Sequence, residues 1–128
     1  MQKAENALVY RFLSKHPIRH AAEFDVVFKL GKRFSSACFV LIGLRTDRGY
    51  PRLGMVINKK NCALSVDRNR IKRVIREKFR LSQHLLLSVD VIVQLRSSSE
   101  KISDQEQNEC LEKLFSQLIA HCDGSSSN

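Results

Sequence analysis

The chain has 128 residues, 43% of them hydrophobic and 27% charged, and carries a formal net charge of +9. That length suits a single domain burying about two thirds of its unfolded surface, and the composition excludes a disordered chain. The positive excess points to a polyanionic partner and away from a basic or purely apolar one.

The charge is unevenly spread: residues 1–96 hold 20 basic and 7 acidic residues, while 97–128 hold 2 and 6. A basic working body with a tail outside the contact is expected. No apolar run approaches the ~20 residues of a membrane span, and Leu8 to Leu13, broken by Arg11, is no signal-peptide core. Cys38, Cys62, Cys110 and Cys122 lack C-x-x-C spacing, which favours buried reduced thiols and a cytoplasmic protein.

Residues 1–17 form a basic lead expected to lack order. His20 to Leu30 reads as a short helix stopped by Gly31, a natural C′ residue. Its apolar residues, Phe24, Val26, Val27, Phe28 and Leu30, span about 200° of a helical wheel, more than one packed face needs. Phe24 and Phe28, one turn apart at the edge of that arc, face either a groove or the core.

Ser36 to Arg45 is apolar on both alternating faces and reads as a central strand. Thr46 to Pro51 is a turn, and Arg52 to Lys59 a second strand. In that strand Leu53, Met55 and Ile57 share one face, and Arg52, Gly54, Val56 and Asn58 the other. Gly54 leaves the second face shallow enough for a ligand. A further short strand is expected within Asn61–Val66.

Asp67 to Leu81 reads as a helix with Asp67 or Ser65 as N-cap. It carries seven of the 22 basic residues, opposed only by Asp67 and Glu77. Steps of about 100° put Ile71, Val74, Ile75, Phe79 and Leu81 on one arc and Lys72, Arg73, Arg76 and Arg80 on another. Lys78 projects within the apolar arc and must snorkel outwards. Arg68 and Arg70 sit in the first turn, where the helix dipole disfavours cations unless an anion joins them. Val89 to Leu95 is a third strand. Ser103 and Glu106 form a capping box for a last helix whose stripe is Cys110, Leu111, Leu114, Phe115, Leu118, Ile119 and Cys122. The domain spans 18–122, with a flexible tail at 123–128. The order helix, strand, strand, (strand), helix, strand, helix describes an α+β sandwich with one sheet face covered by helices and the other open beside Phe24, Phe28 and Lys59.

Catalytic signatures are missing from the sequence. There is no G-x-x-x-x-G-K or G-x-G-x-x-G loop, the four histidines are scattered, and Glu23, Asp25, Asp47, Asp67, Glu77 and Asp90 have no uniting spacing. They read as surface carboxylates, leaving no protein catalytic centre.

Arg68-Asn69-Arg70-Ile71-Lys72-Arg73-Val74-Ile75-Arg76-Glu77 closely resembles the signature of the bacterial ribonuclease P protein subunit. Arg52 to Lys60, with its closing lysine pair, resembles the family's strand before that signature, and Glu23 to Lys29 with Gly31 its first helix. Val89 to Leu95 and Leu111 to Leu118 stand where the family has its last strand and helix. The resemblance covers residues 18–122. It implies an α+β fold like ribosomal S5 domain 2, with a left-handed βαβ crossover around the signature helix. It also implies an endoribonuclease whose catalytic component is RNA. That RNA uses magnesium, held mainly by itself and not by the protein alone, to remove the 5′ leader of precursor tRNA. The implied partners are ribonuclease P RNA and precursor tRNA, with no membrane, and the protein is expected to be a monomer outside the ribonucleoprotein.

The resemblance assigns Arg68, Asn69, Arg70, Lys72, Arg73 and Arg76 to the catalytic RNA. It assigns Phe24 and Phe28 to the leader, and Arg52, Lys59 and Lys60 are then candidates for the leader's phosphates. Ile42 stands where some members carry an aromatic. Three other readings compete: a structural RNA-binding module of the ribosomal-protein kind, a helix-turn-helix DNA binder and a protein nuclease. The helix-turn-helix is disfavoured because a strand and loop, not a partner helix, precede Asp67.

Overall fold

The computed structural model describes residues 17, 18, 20–98 and 102–124. Three helices, α1 (Ala21–Leu30), α2 (Ser65–Leu86) and α3 (Asp104–Gly124), accompany four strands, β1 (Lys32–Ser35), β2 (Phe39–Arg45), β3 (Arg52–Val56) and β4 (Val89–Leu95). The sheet order is β1-β2-β4-β3. β1 and β4 flank β2 in antiparallel fashion, and β3 runs parallel to β4, so α2 is the crossover between adjacent parallel strands.

The alternation of β2 and β4 separates two cores. Phe39, Leu41, Leu53, Val91, Val93 and Leu95 pack under α2 and α3. Val40, Ile42 and Ile92 pack with Val27 and Ile18 under α1. The second face, expected to be open, is therefore partly roofed by α1. The α3 stripe lies as expected, with Leu111, Leu114, Phe115 and Leu118 buried and Cys110, Ile119 and Cys122 half-buried against the same core. Its capping box forms, Ser103 N donating to Glu106 Oε1 at 3.4 Å and Glu106 N to Ser103 Oγ at 3.1 Å.

Several local expectations change. The extra strand is β1, not a segment of Asn61–Val66. It is a short edge strand with only Phe34 partly buried, so it carries no alternation to read. Ser36 lies in the β1–β2 turn, its Oγ accepting from Phe39 N at 3.2 Å, and β2 starts at Phe39. β3 ends at Val56. Beyond it, Asn61 N donates to Asn58 Oδ1 at 2.9 Å, a side-chain turn that bends the chain at Lys59 and Lys60.

Helix α2 starts two residues before Asp67, with Leu64 as an N-cap that offers no side-chain bond. Burying Ile71, Ile75, Phe79 and Leu86 at about 1.5–3 kcal/mol each outweighs the ~1 kcal/mol that a good cap contributes. Leu81, placed by periodicity on the buried arc, is 54% exposed because α3 covers only part of that side.

Gly31 has φ −78°, so it is not a left-handed cap. A Cβ there would lie 2.6 Å from both Ile42 Cγ2 and the Val27 carbonyl, and the glycine is needed for that close approach. The ordered domain already includes Pro17, which bridges in parallel to Leu53, while Ile18 N donates to Leu53 O at 3.0 Å. Residues 1–16 of the lead and 125–128 of the tail lie outside the described residues; α3 itself runs on to Gly124.

Candidate nucleic-acid interface

On α2 the buried residues Ile71, Ile75, Phe79 and Gln83 define the inner face. Turning outward from it, steps of about 100° place Lys72, Asn69, Arg76, Arg80 and Arg73 within an arc about 100° wide. Most of this flank faces away from α3, whose Glu112 and Asp104 meet Lys78 at 3.5 Å and Arg70 at 3.7 Å on the other side; Arg73, at its edge, also lines the groove with Asn108 of α3. Lys78 thus escapes the apolar arc as expected, by reaching an acid on α3.

The cations of the helix differ in how far they are already neutralised. Arg80 is bidentate to Glu77, at 2.6 and 3.2 Å, and this pair draws the Glu77 carboxyl below its usual range. Arg70 reaches Asp67 at 3.5 Å as well as Asp104, in loose exposed pairs worth little against a phosphate. Arg68 turns back, its Nη1 donating to the carbonyls of Cys62 at 2.9 Å and Ala63 at 2.8 Å. One guanidinium nitrogen therefore secures the turn before the helix. Lys72, Arg73, Arg76 and Asn69 have no side-chain partner among the described residues, nor do Lys59 and Lys60 in the exposed turn that leads into α2. The segment from Lys59 to Arg76 therefore presents five unneutralised cations close along the chain.

The second candidate surface is where α1 meets the sheet. Phe24 and Phe28 have ring centroids 6.4 Å apart, tilted by 38°. They divide the two roles that the sequence left open. Phe24 is half-buried over Gly54, where a Cβ would come within 2.8 Å of its Cζ. The shallow spot at Gly54 is thus filled by this chain's own ring and not left for a ligand. Phe28 is 41% exposed, and with Val26 and Leu30 it leaves an apolar α1 surface in solvent. Ile42 is sealed beneath α1 and offers no surface.

Arg52 is not where the leader reading needs it. It is 8% exposed and forks onto Asp90, Nε to Oδ1 at 3.0 Å and Nη2 to Oδ2 at 2.8 Å, while Nη1 donates to Glu23 Oε2 at 3.0 Å. The bonds to Asp90, and then that to Glu23, hold its protonated form well above its ordinary range despite burial. Arg48 joins from the β2–β3 loop, 3.7 Å from Asp90 and 3.9 Å from Glu23. Two acids read as unrelated surface carboxylates are thus brought together by Arg52, pinning α1 to β3 and β4. A signal was present in the sequence: Asp90, inside the apolar run Val89–Leu95, could be buried only with a cation.

Among the described residues no three of His, Cys, Asp and Glu come together as a metal site, and no helix is long and apolar enough to cross a membrane. The family model Ribonuclease P matches residues 12–119. The "Ribonuclease P protein component" of Methylococcus capsulatus is 35% identical over 118 residues, covering 92% of each chain. That of Proteus mirabilis is 38% identical over 99 residues, 77% of this chain and 81% of the relative. Among solved structures, the Staphylococcus aureus RNase P protein superposes with a TM-score of 0.73 at 28% identity, covering 80% of this chain and 94% of that one. The Thermotoga maritima RNase P protein gives 0.68 at 27% identity, covering 80% and 97%.

Proposed function

The chain belongs to the ribonuclease P protein family, and from that premise we propose that it works by holding two RNAs while its RNA partner breaks the bond. Lys72, Arg73 and Arg76 contact the phosphates of the catalytic RNA, with Asn69 and Arg70 at the helix start and the remaining nitrogens of Arg68. A-form RNA has a deep groove that side chains cannot read, so a row of cations grips its backbone and shape. Lys59 and Lys60 extend the positive track toward the sheet. Phe28 offers an exposed ring to an unpaired base of the precursor's 5′ leader, with Phe24 beside it as a supporting wall.

Magnesium, where the RNA holds it, would supply activation of the attacking water. The described donor set of this chain does not suit the ion, since Glu23 and Asp90, the acids that do meet, are already matched by Arg52 and Arg48. The protein's part is to neutralise phosphates and position the leader, with no catalytic residue of its own.

The observation that carries this reading is the row Lys72, Arg73 and Arg76, without side-chain partners among the described residues, on a helix whose other long cations all have acceptors. The test is reconstitution with a bacterial-type catalytic RNA. Adding the protein raises cleavage of precursor tRNA at low magnesium. Arg73→Ala and Arg76→Ala each reduce the slope of log affinity against log salt by about one. An unchanged slope takes this flank off the RNA. Binding without any gain in cleavage favours a structural RNA-binding module instead.

A further inference from the structure

We propose that Cys38 and Cys110 form a reversible redox modification site, an intrachain disulfide that staples α3 to the start of β2. Their Sγ atoms lie 3.0 Å apart although the residues are 72 positions apart in sequence. From there a modest side-chain adjustment closes a bond of about 2.05 Å. Both cysteines belong to the apolar packing that the sequence assigns them, and the RNA-binding role uses neither.

The two thiols differ in exposure and in acidity. Cys38 is buried, and chiefly for that reason its thiol is pushed up to about 12. Cys110 is half-buried and reachable from solvent. Its own burial raises it, but hydrogen bonds from Cys38 and Ser36 outweigh this and bring it below its ordinary value. Cys110 is thus the more accessible and the more readily ionised of the two, the first to meet an oxidant, and Cys38 is the resolving partner behind it.

With a hydroperoxide, Cys110 sulfur, its thiol ionised, attacks the O–O bond and gains an S–OH; the alkoxide released, or hydroxide from hydrogen peroxide, takes up the proton that the thiol lost and leaves as alcohol or water. Cys38 sulfur then displaces that hydroxyl, which leaves as water with the Cys38 proton. Two thiols and one peroxide give one disulfide, and the two electrons lost by sulfur reduce the peroxide oxygen. Thiol reductants reverse the bond, so in a reducing compartment it is transient. The staple fixes α3, whose first residue Asp104 faces Arg70, against the sheet end that carries the Ser36–Cys38 turn.

The test treats the full chain, under native conditions, with hydrogen peroxide, followed by non-reducing peptide mapping and thermal melting. The expected result is a cross-linked peptide pair containing Cys38 and Cys110, lighter by two hydrogens. A melting midpoint raised by roughly 10 °C accompanies it, and dithiothreitol reverses both. Both effects persist in Cys62→Ser/Cys122→Ser and vanish in Cys110→Ser. The proposal is overturned if both thiols remain alkylatable after oxidation. It also fails if Cys110 proceeds to sulfinic acid without a cross-link, or if the bond formed involves Cys62 or Cys122. Mapping of the unmutated chain decides these outcomes even where a variant folds poorly.

Discussion

Replacing Arg52 by Met separates two roles for one residue. In the structure this guanidinium is buried and donates two bonds to Asp90 and one to Glu23. Methionine matches much of its volume but leaves Asp90, 3% exposed, facing an apolar side chain. Removing one partner of a buried ion pair costs about 3–5 kcal/mol, because the remaining charge stays desolvated. Arg48, 3.7 Å from Asp90, can close in and offset part of that, so the lower end, ~3 kcal/mol, applies. For a domain of this size each kcal/mol shifts the melting midpoint by about 3–5 °C, giving a fall of about 10 °C. The double variant Arg52→Met/Asp90→Leu should recover most of it, since no orphaned acid remains on β4. The assay pairs thermal melting by circular dichroism with precursor tRNA binding over a salt series at 25 °C, where the variant is still folded. If Arg52 instead held a leader phosphate, the salt slope would drop by roughly 0.7 with little change in melting. That pattern would refute the role of Arg52 in pinning α1 to β3 and β4.

Three further outcomes follow from particular contacts. Phe28→Ala lowers the melting midpoint far less than truncating a buried phenylalanine would, since the residue is 41% exposed, and weakens binding of precursor but not mature tRNA by about 1–3 kcal/mol; equal losses for both RNAs would remove the leader assignment. Gly54→Ala destabilises by about 1–3 kcal/mol in chemical denaturation, because its Cβ would press on the Phe24 ring, and the loss shrinks when Phe24→Ala is added. Leu87→Gly raises stability by about 1 kcal/mol, because an exposed leucine there holds φ at 57°, a conformation natural to glycine; an unchanged denaturation midpoint would show no strain at that turn.

The family signature and the basic helix were legible because their information is local. Ile71, Ile75 and Phe79 recur with the helical period, so the buried face of α2 and the opposing cations follow from spacing alone. The same holds for the stripe of α3 and its Ser103–Glu106 box, and for the apolar runs of β2 and β4. Net charge and its confinement to residues 1–96 marked a polyanion binder before any geometry was known.

What the fold alone decided is which side chains spend their charge or surface on one another. Arg52 looked like a strand-end cation for phosphate, yet it answers Asp90, 38 positions away, and Glu23, 29 positions away. Phe24 and Phe28 are equivalent by period, and only Gly54 on a distant strand makes one a packing ring and leaves the other open. β1 has no buried alternation, so only hydrogen bonding to β2 identifies it. The meeting of Cys38 and Cys110 is of the same kind. Periodic burial is written within a few residues of chain, whereas these pairings depend on how the sheet orders its strands, and no local pattern encodes that.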